Sequence, residues 1–197
     1  MGGQIIIACE ALKWELTRVL NELGFKGRVV YIPAILHLRP KLLREELEKV
    51  LEGECHGDND IFVVYGKCFV GIDELCKRKG AELIQGEHCF QMFLGEEYCR
   101  IIKEEPGTYF LTPHLAENFD ELCIAGLGLD RYPKLKKLMF GHYKKAVFID
   151  SRSEGITQSA KNAASYLGLP LEYSHAGIEK IRDALVTVAI CHEHQSV

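Results

Sequence analysis

Short apolar runs rich in β-branched residues alternate along the chain with longer segments whose apolar residues recur at helical spacing. The sequence predicts seven strands: QIIIA (4–8), RVVYI (28–32), IFVVY (61–65), AELIQ (81–85), TYFLT (108–112), KAVFID (145–150) and LEYSH (171–175). Strands that alternate with helices of about ten residues are typical of βαβ units. The pattern therefore predicts an α/β fold with a largely parallel, doubly wound, Rossmann-like sheet flanked by helices.

Amphipathic segments lie between the predicted strands, and several have proline near the start and glycine at the end. The predicted helices cover 12–24, 40–53, 71–80, 92–105, 115–126, 132–141, 157–168 and 178–185. The last apolar segment, 186–192, is read either as an eighth strand or as a continuation of the helix before it.

The length of 197 residues and the hydrophobic content of 47% suffice for one domain, 1–197, or for two small lobes. A helix pair at 113–141 interrupts the alternation of strands and helices, so possible lobes are 1–112 and 142–197. A single domain is favoured, because no low-complexity linker marks a boundary.

The charge pattern and the apolar runs exclude several classes of partner. The net charge is −4 and no long basic run occurs, so nucleic acids and anionic membranes are poor partners. No apolar run approaches the ~18 residues that a membrane span needs. The N-terminal segment lacks a basic region and a cleavage site for a signal peptide. We predict a cytoplasmic protein.

Polar and titratable residues follow the predicted strands at the points where the strands end. In open parallel sheets, ligands bind outside the carboxyl ends of the strands, so a site is expected at these positions. The segments are Cys9-Glu10 after the first strand, PAILHL with His37 after the second, Gly66-Lys67-Cys68 after the third, Glu87-His88-Cys89 after the fourth and Thr112-Pro113-His114 after the fifth. The sequence therefore predicts one site built from several strand-to-helix connections.

Thiol and imidazole groups give this predicted site its chemistry. Soft metal ions favour thiolate and imidazole ligands, and three thiolates with one histidine are a common zinc set. Iron–sulfur clusters also take such ligands. We predict a bound metal ion (zinc or iron) or an iron–sulfur cluster, with ligands drawn from Cys9, Cys68, Cys89, His37 and His88. Two questions stay open: which of His88 and Cys89 faces the site, and whether a second subunit supplies a ligand.

Further residues at the same strand ends are predicted to line a substrate pocket. They are Glu10, Tyr65, Gly66, Lys67, Glu87, Thr112 and His114. The competing interpretation is structural, because a cysteine after an apolar strand is often only a small buried hydrophobe.

The chain has eight cysteines but no CxxC pair, so a zinc ribbon and a thioredoxin-type site are unsupported. Cys76, Cys99 and Cys123 fall inside predicted helices, where they are expected to fill the core. The chain also lacks a GxxxxGK[ST] phosphate loop, a GxGxxG motif after a strand and a GxSxG nucleophile elbow.

The motifs ACEALKWEL, LHLRP, YGKC, HCFQMFLG and GTYFLT, in this order, resemble the domain-of-unknown-function family 1638 from about residue 5 to residue 175. That family is found mainly in methanogenic archaea and anaerobic bacteria, and its genes often lie near corrinoid-dependent methyltransferases. The resemblance implies a setting in anaerobic one-carbon metabolism. It also implies that Cys9, His37, Cys68, His88 and Cys89 match the family's polar motif positions.

The first functional hypothesis is a protein that binds a metal or an iron–sulfur cluster and serves corrinoid methyl transfer, with a corrinoid protein or a methyltransferase as partner. Zinc would hold a thiol substrate as a nucleophile, whereas a cluster would transfer electrons. One alternative is a binding module without catalysis for a corrinoid, another tetrapyrrole or a small ligand, although the corrinoid motif DxHxxG is absent. The others are a metal-free thiol enzyme that uses Cys68 or Cys89 and a scaffold with buried cysteines. Whether the protein is an enzyme stays open, as does its oligomeric state, a homodimer included.

Overall fold

The computed structural model describes residues 3–55, 58–86 and 88–190. These residues divide into two compact units. The first comprises the described residues within 1–92 and 181–197, and the second comprises Phe93–Lys180. Each unit contains its own parallel sheet, so each is described by itself.

The first sheet has four parallel strands in the order β2-β1-β3-β4. Their bounds are β1 (Gln4–Cys9), β2 (Arg28–Ile32), β3 (Asp60–Gly66) and β4 (Glu82–Gly86). Side chains on both faces of β1 are buried, as expected for a parallel sheet covered on both sides. One face carries Ile5 and Ile7, which pack with Ile61 and Val63 of the neighbouring β3.

The second sheet has three parallel strands in the order β5-β6-β7. Their bounds are β5 (Thr108–Leu111), β6 (Lys145–Asp150) and β7 (Leu171–His175). Its core combines Phe148 of the central strand with small residues of a covering helix, among them Ala160 and Ala164. These alanines let the helix backbone pack closely against the sheet.

Helices connect the strands in both units. In the described part of the chain they are α1 (Lys13–Glu22), α2 (Pro40–Glu54), α3 (Ile72–Arg78), α4 (Cys89–Leu94), α5 (Glu96–Glu104), α6 (Pro113–Glu117), α7 (Leu135–Phe140), α8 (Gln158–Leu167) and α9 (Glu179–Ile190). Short 3₁₀ segments, Glu10–Leu12 and Ala34–Leu38, follow β1 and β2, and a π-helical turn, Asp120–Ala125, follows α6. No described helix combines the length and the apolar character needed to cross a bilayer.

The α/β class and the parallel strands flanked by helices are confirmed, with the strands divided between two sheets. The single helix predicted over 92–105 is wrong. Gly95, with φ 57° and ψ −128°, separates α4 from α5, and this backbone conformation is readily available only to glycine. The segment 186–190 continues α9 and is therefore helix, whereas residues 191 and 192 lie outside the described residues.

The helix predicted over 115–126 has a different form. It begins earlier, at Pro113, because the Thr112 hydroxyl accepts a hydrogen bond from the backbone N–H of Leu115 and caps α6. Beyond α6 the chain forms the π-helical turn, in which the Gly126 N–H donates to the Glu121 carbonyl five residues back.

Candidate functional site

The carboxyl ends of β1 and β3 mark the point where the strand order of the first sheet reverses. The chain passes from β1 to β2 on one side and from β3 to β4 on the other. Ligands of open parallel sheets bind in the crevice outside such a switch point. Cys9 is the last residue of β1, and Cys68 lies two residues beyond the end of β3. Both cysteines therefore stand where this topology favours a site.

Cys9 and Tyr65 lie side by side on the same face of the sheet. The register pairs Ala8 with Val64, so the next residues along the two strands are neighbours. Both side chains join the core cluster that contains Ile7 and Val63, as the alternation of side chains along a strand requires. Cys9 is half-buried, whereas Tyr65 is only 2% exposed.

A tight turn after β3 directs Cys68 back to the core. The Cys68 N–H donates a hydrogen bond to the Gly66 carbonyl at 2.8 Å. Lys67, between them, is exposed, while the half-buried Cys68 packs against the same cluster as Cys9. The turn thus keeps the second thiol beside the first.

Gly66 also brings the third thiol to this point. A Cβ on Gly66 would lie 2.8 Å from the backbone nitrogen of Cys89 and 3.0 Å from the carbonyl carbon of His88. No side chain fits under that backbone, so the close approach requires glycine here. Cys89, the first residue of α4, is therefore held against the end of β3.

The three thiols lie close enough to influence one another's ionisation. Burial, together with the charge of Cys9, raises the pKa of Cys68 to about 11. Burial, followed by the charges of Cys68 and Cys9, raises the pKa of Cys89 to about 12. Burial also raises the pKa of Cys9, although its contacts with the Ala11 backbone and the nearby Tyr65 hydroxyl act in the opposite direction. We call Cys9, Cys68, Cys89 and Tyr65 the thiol site.

The Tyr65 hydroxyl is buried, and no hydrogen bond of ordinary geometry to it is found within the described residues. The thiol of Cys9 is close enough to interact with it. Burial, followed by the charges of Cys9 and Cys68, raises the pKa of Tyr65. The thiol site therefore contains a fixed hydroxyl group as well as three sulfur atoms.

Two histidines lie close together near this edge of the sheet. His37 belongs to the 3₁₀ segment after β2, and His88 directly precedes α4; both side chains are exposed. The surrounding protein atoms, and then the charge of His88, lower the pKa of His37. Glu10 fixes the segment that carries His37, because its Oε2 accepts a hydrogen bond from the Ala34 N–H at 3.2 Å.

The side chains of the thiol site do not stand in a ready-made ligand geometry. Among the residues that the structure describes, no group of three or more histidine, cysteine, aspartate or glutamate side chains is arranged to hold a metal ion. The thiols converge, but ligation requires their side chains to turn toward a common centre.

Of the residues predicted to line the pocket, two lie in the second unit and one is not described. Glu87 lies outside the described residues. Thr112 and His114 belong to the second unit, where Thr112 caps α6 and the His114 carbonyl accepts a hydrogen bond from the Asn118 side chain. Thr112 and His114 therefore have local structural roles in the second unit.

The remaining cysteines differ in burial. All the described cysteines are free thiols. Cys76 and Cys123 are buried, as predicted, and the Cys123 thiol interacts with the Tyr109 hydroxyl. The prediction that Cys99 fills the core is wrong: it is exposed, because its position on α5 faces solvent.

Sequence reasoning missed a buried carboxylate in the second unit. Asp150, at the end of β6, accepts hydrogen bonds from the backbone N–H groups of Arg152, Glu154 and Gly155 and from the Tyr173 hydroxyl. Burial alone would raise the pKa of Asp150, but these hydrogen bonds outweigh it and lower the pKa. We call residues 150–155 the aspartate loop. An aspartate directly before the turn-forming SRSEG was the available signal.

Comparison with known protein families gives a match. A family model described as "Protein of unknown function (DUF1638)" matches residues 31–185, which is most of the chain. The matched region contains His37, Cys68, His88 and Cys89 and begins after Cys9. A search of curated proteins finds no match.

Proposed function

Since the chain belongs to the DUF1638 family, whose description states no activity, we propose a function from the thiol site itself. The protein binds a thiophilic metal ion or an iron–sulfur cluster through the thiolates of Cys9, Cys68 and Cys89. The observation that supports this proposal is the convergence of three thiols, from three strand ends, at the switch point of the first sheet.

The raised pKa values of these thiols favour a site that binds a cation over the active site of a metal-free thiol enzyme. Burial raises the pKa of each thiol, and the charges of neighbouring thiols raise it further for Cys68 and Cys89, so the groups are protonated and weakly nucleophilic at neutral pH. A cation placed among them reverses this effect, because it stabilises every thiolate that it contacts. A catalytic cysteine without a metal needs the opposite environment.

The histidines provide candidates for a fourth ligand. His37 and His88 lie near each other, and the lowered pKa of His37 favours the neutral imidazole that coordinates metals. Three thiolates with one imidazole form a common zinc set. In this proposal, metal binding turns the cysteine side chains from their present positions into that set.

The reaction we propose for the site is methyl transfer involving a corrinoid. Bound zinc supplies the positive charge that keeps a thiol substrate ionised, whereas an iron–sulfur cluster supplies electron transfer to a cobalt centre. In the zinc case, Cys9, Cys68 and Cys89 would hold the ion, which would keep the substrate thiol ionised. The methyl group would pass from the cobalt of a methylcorrinoid to this sulfur, and the electron pair of the broken cobalt–carbon bond would stay on cobalt. The motif resemblance supports this setting and a corrinoid protein or methyltransferase as partner; a cytoplasmic location is part of the proposal and rests on the N-terminal sequence.

A second candidate function is the binding of a corrinoid or another tetrapyrrole without catalysis. The exposed His37, held by the contact between Glu10 and Ala34, favours it, because an accessible neutral imidazole can serve as an axial ligand. A corrinoid added to the protein would then change its visible spectrum, and His37→Ala would abolish that change.

Metal and acid-labile sulfide analysis of protein purified without oxygen tests the first proposal. We expect about one zinc per chain without colour, or iron with sulfide and a brown absorbance. Cys68→Ser and Cys89→Ser should reduce the bound metal to near zero. Cys76→Ser is the matched control, because Cys76 is a buried thiol of the same unit outside the thiol site.

Two results would contradict the proposal. One is the absence of both metal and sulfide from the anaerobic protein, with no uptake of added zinc or iron. The other is equal loss of metal in Cys76→Ser and Cys68→Ser, which would mean that metal retention reports only general stability.

A further inference from the structure

Cys9 and Cys68 are free thiols that lie on the same side of the first sheet. Cys9 ends β1, and its neighbour on the adjacent β3 is Tyr65, one position beyond the last register pair. The tight turn after β3, in which the Cys68 N–H donates to the Gly66 carbonyl, brings the chain back toward the core. Cys68 therefore packs against the same core cluster as Cys9, although the two residues are distant in the sequence.

The buried Tyr65 hydroxyl is affected by both of these thiols. The Cys9 thiol is close enough to interact with it, and the charges of Cys9 and Cys68 add to burial in raising the pKa of Tyr65. Burial is also the main cause of the raised pKa of Cys68, and Cys9 is the neighbouring charge that adds to it. Such effects weaken with distance, so they agree with the placement of both sulfur atoms at one end of the sheet.

The third thiol of the site approaches from the other direction. Side chains alternate along a strand, so a Cβ on Gly66 would point to the face opposite that of Tyr65. The backbone nitrogen of Cys89 lies 2.8 Å from that Cβ position. The backbone of Cys89 thus reaches the strand end from the opposite face, and Cys9 and Cys68 are the pair that shares a face.

The backbone spacing at this pair suits a disulfide bond. Neighbouring strands lie about 4.8 Å apart, and disulfides join residues whose Cα atoms are about 4.4–6.8 Å apart. Cys9 is the end of one strand, and Cys68 follows the end of the strand beside it. Both residues are half-buried, so a small reagent has access to them, whereas Cys76 of the same unit is buried. Bond formation then requires rotation of two side chains.

We propose that Cys9 and Cys68 form an intramolecular disulfide in reaction with a low-molecular-weight disulfide, so that the thiol site is a site of reversible oxidation. This inference goes beyond the proposed function and does not depend on a bound metal. Intracellular disulfides of this kind are usually transient and redox-sensing. The bond withdraws two of the three thiols from any other chemistry at the site.

The oxidation proceeds by two successive exchange steps. The Cys68 thiolate attacks one sulfur of the reagent, forms a mixed disulfide and releases the first reagent thiolate. The Cys9 thiolate then attacks the Cys68 sulfur, and the second reagent thiolate leaves. Two cysteine sulfurs are oxidised, the reagent is reduced to two thiols, and those thiols take up the two protons.

The raised pKa values determine the speed and the direction of this reaction. Only the thiolate attacks, so the rate should rise about tenfold per pH unit below the Cys68 pKa of about 11. The reduced state gains no stabilisation from a thiolate at neutral pH. A disulfide oxidoreductase with an ionised cysteine is a strong oxidant for the opposite reason, and here the disulfide is the favoured state.

Oxidised glutathione is the probe for the experiment. The wild-type protein is treated with a chelator, reduced, and incubated with the probe without oxygen at successive pH values. Free thiols are then blocked, and peptide mapping identifies every disulfide. We expect a bond between the peptides that carry Cys9 and Cys68, and excess dithiothreitol should restore both thiols. The oxidised protein should also unfold at a higher temperature, because the bond constrains the unfolded chain.

Serine variants identify the partners. Cys9→Ser should accumulate glutathione on Cys68, because the first exchange step is possible and the second is not. Cys68→Ser should form no intramolecular bond at Cys9. Cys89→Ser is the matched control: it removes the third thiol of the same site and should form the disulfide as wild type does.

Several results would overturn the inference. They are a wild-type protein that carries only glutathione adducts, a bond from Cys68 to Cys89 instead of Cys9, and an oxidised protein that is less stable than the reduced one. Failure of the proposed function is distinguishable, because no metal is present in this experiment. A protein that binds zinc but forms no disulfide refutes the inference alone, and one that forms the disulfide but takes up no metal refutes the proposed function alone.

Discussion

The thiol site of the first unit and the aspartate loop of the second unit both place buried polar groups at the carboxyl ends of parallel strands. In the aspartate loop, four donors satisfy the Asp150 carboxylate, and its pKa is lowered. In the thiol site, the Tyr65 hydroxyl has no ordinary partner and the thiol pKa values are raised. The first arrangement is complete without a ligand, whereas the second would become favourable if a cation bound there, as we propose.

This difference separates a polar group with a structural role from polar groups to which we propose a functional role. A fully hydrogen-bonded network stabilises the loop that supplies its donors. A partly satisfied one lowers stability unless binding supplies the missing partner. Position at a strand end is thus insufficient to identify a site, and the hydrogen-bond partners of each group must be counted.

The largest effect is expected from Asp150→Asn, which tests whether the aspartate loop depends on its buried carboxylate. In wild type, backbone N–H groups donate to both oxygens of the Asp150 carboxylate. The asparagine amide has only one oxygen, so its NH2 group would face N–H groups that have lost their acceptor. We expect the free energy of unfolding of the second unit to fall by about 3 kcal/mol. Amide hydrogen exchange in β6 measures this change, and metal content should be unaffected. An unchanged exchange rate would show that the loop does not depend on the carboxylate.

Gly66→Ala tests the thiol site and should have the next largest effect. The added Cβ would meet the Cys89 backbone nitrogen at 2.8 Å, so the start of α4 must move. We expect a loss of about 2 kcal/mol in stability, together with a sharp fall in bound metal. Denaturant unfolding and metal analysis provide the two measurements.

The control for Gly66→Ala is Gly53→Ala. Gly53 lies in α2, and a Cβ there would meet nothing within 4 Å. Alanine should stabilise this helix by about 0.5–1 kcal/mol and leave metal binding intact. Normal metal binding by Gly66→Ala would exclude the proposed arrangement of Cys89 against the end of β3.

The smallest effect concerns the acid stability of the aspartate loop. The pKa of Asp150 is lower in the folded protein than the value of about 3.9 in unfolded chains. The stabilisation by its carboxylate is therefore fully present above about pH 4, and it is lost as the pH falls through the folded value. The stability difference between wild type and Asp150→Asn should shrink in this range, as urea unfolding at successive pH values can measure. A difference that stays constant down to pH 2 would contradict the assignment.

Much of the fold could be predicted because strand formation leaves a local pattern. β2, β6 and β7 have the predicted bounds, since β-branched and aromatic runs between turn residues specify them. The break at Gly95 could not be predicted with the same ease, because a glycine inside a helical pattern is often tolerated. The division into two sheets also escaped prediction, since strand pairing joins residues that are distant along the chain.

Prediction of the candidate site is limited in the same way, because it too depends on which distant residues the sheets bring together. Cys9, Cys68 and Cys89 were predicted together, because the carboxyl ends of parallel strands share one edge of a sheet. Thr112 and His114 were grouped with them on the expectation of one largely parallel sheet, and the structure places them after β5 of the second sheet. Local sequence cannot reveal which sheet a strand joins.

The sequence by itself determined the α/β class, the strands and the placement of thiols after them, because these depend on periodicity and on the neighbours of each residue. The tertiary structure alone decided that Gly66 admits the Cys89 backbone, that the Tyr65 hydroxyl is buried beside Cys9, and that Asp150 is saturated with donors. Each of these facts depends on the distance between groups far apart in the chain. Only the packed fold sets those distances.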